Sequence, residues 1–233
     1  FGTSPDAEVR AEAVRATAAG TEWTLATPDG SLPVRIPLWG DYNVANALGA
    51  AAALWSLGWA AERIAAGLAT LPQVPGRLER LAATAGAPAV VLDYAHTPDA
   101  LQRALAALRP LVAGKLWVVF GAGGDRDRGK RPDMGRVAAA GADRVIVTSD
   151  NPRSEDPARI AGEIRGGMEG APHVCLLDRR EAIRHALLEA APEDLVLLAG
   201  KGHETYQILR DGVRRFDERE VAREIFQERE KGT

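Results

Sequence analysis

The run Asp150-Asn151-Pro152-Arg153-Ser154-Glu155-Asp156-Pro157 sets an acid, an amide and a guanidinium almost side by side. These offer a partner for an ammonium, a paired donor and acceptor, and a fork that fits a carboxylate. A zwitterionic amino acid presents the complementary groups. The apolar run just ahead, residues 145–147, reads as a buried strand, and the Asn-Pro and Asp-Pro steps turn the backbone out of it. The cluster therefore stands just past the carboxyl end of a strand, the edge at which open parallel sheets bind ligands. Helix capping accounts for Asp156 as N-cap and Pro157 at the first helical position. It leaves Asp150 to Arg153 unexplained.

Three further polar clusters follow strand-like runs. Asp93-Tyr94-Ala95-His96-Thr97-Pro98 follows residues 90–92, Gly121-Ala122-Gly123-Gly124-Asp125-Arg126 follows 116–120, and Gly200-Lys201-Gly202-His203-Glu204 follows 195–199. A further strand is expected at 174–177. Between the strands Leu101, Ala104, Leu105 and Leu108, and again Ile183, Ala186, Leu187 and Ala190, repeat with helical spacing. Near-continuously apolar strands separated by amphipathic helices imply βαβ units and a parallel sheet covered on both faces. The four clusters must then share one edge of that sheet and form one composite site. The opposite-edge turns, Ala113-Gly114 and Gly141-Ala142-Asp143, read as connections only. A hairpin around Asp211-Gly212, with strands at 206–209 and 213–216, and a charged helix from Glu218 close the region.

Residues 1–73 have a different texture. A hairpin is expected from 23–26 and 34–37 about Pro28-Asp29-Gly30, then two helices at 43–57 and 60–70 broken at Gly58. Val74-Pro75-Gly76 reads as a linker.

Bulk composition narrows the function classes. With 233 residues, 46% hydrophobic and 26% charged, the chain is an ordinary globular sequence. A net charge of −3 gives no polyanion-binding signature, so no nucleic-acid partner is expected. The apolar stretch 44–57 holds Asn46 and Ser56 and is too short to span a bilayer, so no membrane partner is expected either. No leader is evident. The single cysteine, Cys175, reads as a small core residue; it excludes an intrachain disulfide and fits a reducing cytosol. The start at Phe1, without methionine, suggests a piece of a longer protein.

Several motifs fail on their chemistry. Gly124 to Lys130 spells G-x-x-x-x-G-K, but Arg131 stands where a phosphate loop needs Ser or Thr, and Asp125 and Asp127 would oppose phosphates. Gly121 to Gly124 is a partial dinucleotide fingerprint and too weak to use. What the segment does present is cationic: Arg126, Arg128, Lys130 and Arg131, of which Arg128 reads as solvated charge and Arg126 as a carboxylate or phosphate partner. His173 and His185 read as ordinary surface or core residues, whereas His96 and His203 lie on the ligand edge. No His, Cys or acidic pair has metal-ligand spacing, and no G-x-S-x-G elbow supports a serine hydrolase.

The clusters taken together resemble the Mur ligases, and within that family the diaminopimelate-adding MurE type. Val91-Leu92-Asp93-Tyr94-Ala95-His96-Thr97-Pro98-Asp99-Ala100-Leu101, residues 121–132, 150–157 and 199–204 carry the resemblance. Pro75-Gly76-Arg77-Leu78-Glu79 and Asp41-Tyr42-Asn43-Val44-Ala45-Asn46 add two collinear segments, and Tyr42 stands where relatives often carry His or Phe. The resemblance implies a cytoplasmic, monomeric enzyme of peptidoglycan precursor synthesis. ATP, with Mg2+, would activate the D-glutamate carboxylate of a UDP-muramoyl dipeptide as an acyl phosphate, which the amine of a diamino acid then attacks.

On this resemblance residues 1–73 are the end of a central ATPase domain. Residues 74–233 are a carboxy-terminal α/β domain with a Rossmann-like, mostly parallel sheet and a final hairpin. The UDP-binding domain, the Gly-Lys-Thr phosphate loop and the carbamylated lysine that helps hold magnesium are missing, so the metal ligands are expected outside this chain, which should be inactive alone. By matching position, Arg126, Asp150, Asn151, Pro152, Arg153, Gly200 and Glu204 correspond to the diaminopimelate site. Arg126 and Arg153 suit its carboxylates, Asp150 and Glu204 its ammonium groups, and the Gly200 carbonyl a donor. Asn43, Asn46, Arg77, Asp93 and His96 correspond to positions lining the ATP site. The alternatives are the same reaction with L-lysine or L-ornithine, a folylpolyglutamate-synthase-like ligase, or a non-catalytic amino-acid-binding module.

Overall fold

The structure, a computed structural model, describes residues 1–81 and 86–231, and the chain divides into two compact units, 1–73 and 74–233. In the first, β1 (Arg10–Thr17), β2 (Gly20–Thr27) and β3 (Gly30–Ile36) form an antiparallel meander. The expected hairpin is β2–β3, closed by the pair Thr27 and Gly30. Strand β1 was not expected. Its register shifts between Glu12 and Arg15, and Ala13 sits at φ +53°, so the sequence loses the period-two alternation that marks a strand. Helices α1 (Asp41–Ser56) and α2 (Ala61–Ala69) follow, with Trp23, Leu25, Val34, Ile36, Leu48 and Ile64 in the shared core. Gly58, at φ +82°, supplies the left-handed backbone just past the end of α1.

The second unit is built on a six-stranded sheet. Its strands are β4 (Glu79–Arg80), β5 (Ala89–Asp93), β6 (Leu116–Phe120), β7 (Arg144–Val147), β8 (Val174–Cys175) and β9 (Leu195–Ala199). Their order is β4-β5-β9-β6-β7-β8, all parallel except β4, which is antiparallel to β5. Every residue of β6 and β9 is buried, as a sheet covered on both faces requires. On one face Leu92, Trp117, Val119, Val196 and Leu198 pack with α6 (Arg179–Glu189) and α7 (Glu218–Lys231). Helices α3 (Pro98–Leu108), α4 (Lys130–Gly141) and α5 (Pro157–Arg165) pack side by side and bury Leu101, Leu105, Met134, Ile160 and Ile164. Both helical repeats read from the sequence are buried. Among the described residues no helix is long and apolar enough to cross a membrane.

Two expectations need correction. The strand at 174–177 is only Val174–Cys175, and Cys175 is half-buried, so it is not a core residue. It lies in the last strand of the sheet, where one side has no neighbouring strand to cover it. The carboxy-terminal hairpin pairs β10 (Tyr206–Leu209) with β11 (Gly212–Arg215), one residue earlier than the apolar run suggested. It forms its own two-stranded sheet.

Loops become helices at fixed points beyond the strand ends. Thr97 Oγ1 accepts from Ala100 N (3.3 Å) and Asp156 Oδ1 from Ala158 N (2.9 Å), each with proline in the first turn. The loops between are therefore held at both ends.

Candidate functional site

The carboxyl ends of β5, β6, β7 and β9 do share one edge. At β7, Asp150, Asn151 and Pro152 are buried and Arg153 is half-buried, with its backbone in the left-handed region at φ +53°. The β10–β11 hairpin holds this loop. Arg153 N donates to Ile208 O (3.1 Å), Ile208 N to Asn151 Oδ1 (2.9 Å), and Gln207 Nε2 to the Asp150 carbonyl (2.7 Å). Those three bonds offset the cost of a left-handed non-glycine residue, of order 1–3 kcal/mol.

The glycine segment after β6 lies against the same loop. A side chain at Gly124 would collide with the Pro152 carbonyl, and its N–H donates to Asn151 O (2.9 Å). Asp125 accepts from Ser154 Oγ (2.7 Å) and Ser154 N (3.1 Å), and these bonds draw its carboxyl below the usual range. Arg126 is exposed and makes no ion pair with any described residue. Arg153 Nη1 donates to Gly124 O (2.8 Å), which places the guanidinium over the glycine turn on the side that carries Arg126.

The other cations of this segment have partners within the protein. Arg131 is completely buried, with Glu155 at 2.8 Å and Glu163 at 2.6 Å, and it donates to the Gly123 carbonyl. Arg128, expected to be plain solvated charge, is ion-paired with Glu163. Lys130 Nζ donates to His96 O (2.7 Å), and burial lowers its pKa. The hydrogen bond from Arg131 holds Glu155 down to about 2, and those from Arg128 and then Arg131 do the same for Glu163. Depressed carboxylates stabilise the fold above their unfolded pKa, and that stability is lost as pH falls through the folded value. Stability should thus decline between pH 4.5 and about 2 as these two groups protonate. Thermal melts across that window should show a shallower slope in Glu155→Gln than in the wild type; equal slopes would remove Glu155 from the account.

At β9, Gly200 (φ +115°) turns the chain and donates to Asp93 O (3.0 Å). The next residue, Lys201, was not picked out from the sequence. Its side chain is fully buried, and Nζ lies 3.0 Å from Asn151 Oδ1, 3.3 Å from Glu204 Oε2 and 3.5 Å from Asp150 Oδ1. Asn151 Nδ2 also donates to Glu204 Oε2 (2.8 Å). Asp150 and Glu204, expected to pair with ligand ammonium groups, thus share one ammonium of the protein itself. The available signal was a lysine flanked by two glycines directly after a wholly apolar strand.

At β5, burial raises the Asp93 pKa, against the lowering effect of hydrogen bonds from Leu78 N (2.7 Å) and Ala95 N. His96 Nδ1 donates to the Tyr94 carbonyl (2.8 Å), which leaves Nε2 as the acceptor of the neutral ring. The Tyr94 ring centroid lies 4.5 Å from that of His96 and 5.2 Å from that of His203, with Arg77 Cζ 5.4 Å away. The result is an aromatic and cationic step beside the loops that follow β5 and β9. In the first unit, Asn43 is buried and donates to Trp39 O (2.7 Å), while Asn46 is exposed on α1. Among the described residues no group of three or more His, Cys, Asp or Glu could hold a metal ion.

The family model for the Mur ligase, glutamate ligase domain, matches residues 76–202. The chain belongs to the Mur ligase family. It is 54% identical over 91% of its length to the UDP-N-acetylmuramoyl-L-alanyl-D-glutamate--2,6-diaminopimelate ligase of Synechococcus elongatus. It is 51% identical over 97% of its length to the like-named ligase of Alkalilimnicola ehrlichii. A solved structure of a ligase with the same name superposes with a TM-score of 0.73 at 38% identity, over 98% of this chain and 47% of that one. The mostly parallel α/β sheet of this Mur ligase chain is thus the fold of its structural neighbours. The chain spans less than half of the two curated relatives, 43% and 45% of their lengths.

Proposed function

We propose that this chain is the carboxy-terminal part of an ATP-dependent ligase that joins meso-2,6-diaminopimelate to UDP-N-acetylmuramoyl-L-alanyl-D-glutamate in peptidoglycan precursor synthesis. The observation that carries the reading is the edge of β7 and β9. There Asn151 and Glu204 are bonded to each other beside Asp150, with the Arg153 guanidinium across the glycine turn. Acids and guanidiniums alternate there as the ammonium and carboxylate of an amino acid do. The names of the similar ligases supply the substrate.

In this reading Arg126 and Arg153 take carboxylates, Asp150 and Glu204 an ammonium, and the Gly200 carbonyl a further donor, with Asn151 and Pro152 shaping the wall. Residues 1–73 are the end of the central ATPase domain, and 74–233 the amino-acid-binding domain. Asn43, Asn46, Arg77, Asp93 and His96 line the ATP site. Magnesium is held by residues outside this chain, and the enzyme is a cytoplasmic monomer. ATP supplies the phosphoryl group that activates the glutamate carboxylate. The groups described here bind and orient the attacking amino acid, and positioning is the greater part of such catalysis.

The test is phosphate release by the full-length enzyme, which should require ATP, the UDP-muramoyl dipeptide and diaminopimelate together. The 233-residue chain by itself should release none, since it carries no Gly-Lys-Thr phosphate loop. Turnover by the isolated chain, or a full-length enzyme indifferent to diaminopimelate, would refute the proposal.

A further inference from the structure

Lys201 is wholly out of solvent between Asp150 and Glu204, and no step of the proposed reaction uses it. A buried ion pair is poor evidence for stability, because desolvating both partners offsets most of their attraction. Its geometry indicates another use. An ammonium has three donors, and here it has three acceptors, the long one being Asp150. Asn151 Oδ1 receives both Lys201 and Ile208 N, so the carboxamide must turn Nδ2 towards Glu204. Glu204 Oε2 thus accepts from both Lys201 and Asn151, and Oε1 is left without a bond from any described residue.

We infer that Lys201 is a specificity-determining positioning residue: a resident counter-ion that leaves Asp150 and Glu204 with one net negative charge to offer. Two carboxylates against one ammonium hold one substrate ammonium. Arg153 then brings this edge to neutrality and takes the neighbouring carboxylate. The pocket so balanced fits the zwitterionic far end of a diamino diacid. With the charge of Lys201 removed, the edge would carry an excess negative charge and favour a far end that is an ammonium alone. Arg126 lies outside this balance because it is solvent-exposed and screened. The inference rests on the proposed amino-acid site and refines it.

The experiment uses the full-length enzyme and compares kcat/KM for meso-diaminopimelate, L-lysine (no far carboxylate) and 2-aminopimelate (no far amine). The wild type should disfavour both singly charged far ends by about tenfold or more, a difference of 1.4 kcal/mol or more in each case. Lys201→Met should shift the diaminopimelate-to-lysine ratio at least about tenfold towards lysine. Lys201→Arg, which keeps the charge, should retain the wild-type ratio even if its kcat falls. A Lys201→Met enzyme in which both substrates decline together would mark a purely structural lysine and overturn the inference. Should that variant fail to fold, the wild-type comparison decides: lysine used as well as diaminopimelate would overturn it. A wild type that does not use diaminopimelate at all defeats the functional reading itself, which separates the two failures.

Discussion

Arg179→Met should lower the unfolding free energy by about 3–5 kcal/mol, the range for breaking a buried ion pair from one side. The guanidinium is completely buried, with Nε 2.8 Å from Glu218 Oε1. Nη1 donates to Ser149 O (3.3 Å) and Nη2 to Ala199 O (2.9 Å). One side chain thus ties the ends of β7 and β9, the strands that lead into Asp150 and Lys201, to the start of α7. Methionine fills much of the same volume, but it leaves Glu218 buried without a donor. Glu218 Oε2 already lacks a hydrogen-bond partner among the described residues, so the carboxylate has no second contact there to fall back on. Arg179→Met with Glu218→Leu should recover most of the loss, because a buried pair replaced on both sides by apolar groups is often neutral. A residual deficit of about 1–3 kcal/mol should remain for the two carbonyls left without their donor. Urea unfolding of the chain measures this directly, provided the m value is unchanged. A single variant within about 1 kcal/mol of wild type would show that water or a rearranged donor reaches Glu218.

What the sequence made legible follows from how locally each feature is encoded. The parallel strands were readable because β6 and β9 are apolar at every position, and a strand buried on both faces leaves no other pattern. The edge shared by the four polar loops was legible for the same reason, since parallel strands send all their carboxyl-terminal loops to one side. Strand β1 was not legible, because the bulge between Glu12 and Arg15 destroys its alternation. The fates of the basic residues were also hidden. Arg131 pairs with Glu155 and Glu163, which lie 24 and 32 residues away, so only the packing of α4 against α5 distinguishes it from the exposed Arg126. Lys201 is the same case at greater separation, 51 residues from Asp150 and 50 from Asn151. Its acceptors Asp150 and Asn151 come from a strand that is not even its neighbour in the sheet. Charge found in a loop sequence says which chemistry is present, and only the fold says whether protein or ligand neutralises it.

Arg153→Ala in the full-length enzyme should cut kcat/KM for meso-diaminopimelate by about a hundredfold or more while leaving that for L-lysine within a few-fold, a loss of about 2.7 kcal/mol or more. The far carboxylate is what diaminopimelate has and lysine lacks, and a charge-assisted, bidentate guanidinium pair is the strong way to hold it. The side chain is prepared for that. Its Nη1 is fixed by Gly124 O (2.8 Å) and lies 3.4 Å from Asn151 O, while Nε and Nη2 have no bond to any described residue. The backbone is held independently by Arg153 N on Ile208 O, so truncating the side chain removes the fork without releasing the loop. Alanine at φ +53° inherits the left-handed strain of the native residue, so a modest stability loss is expected alongside the kinetic one. L-Lysine has no far carboxylate for the fork to hold, so the truncation removes no contact to its far end. Arg153→Lys separates charge from geometry. If the bidentate contact matters, lysine at this position should restore only a small part of the lost selectivity. An Arg153→Ala enzyme that still prefers diaminopimelate by the wild-type factor would move the recognition of the far carboxylate to Arg126, the remaining guanidinium on this rim.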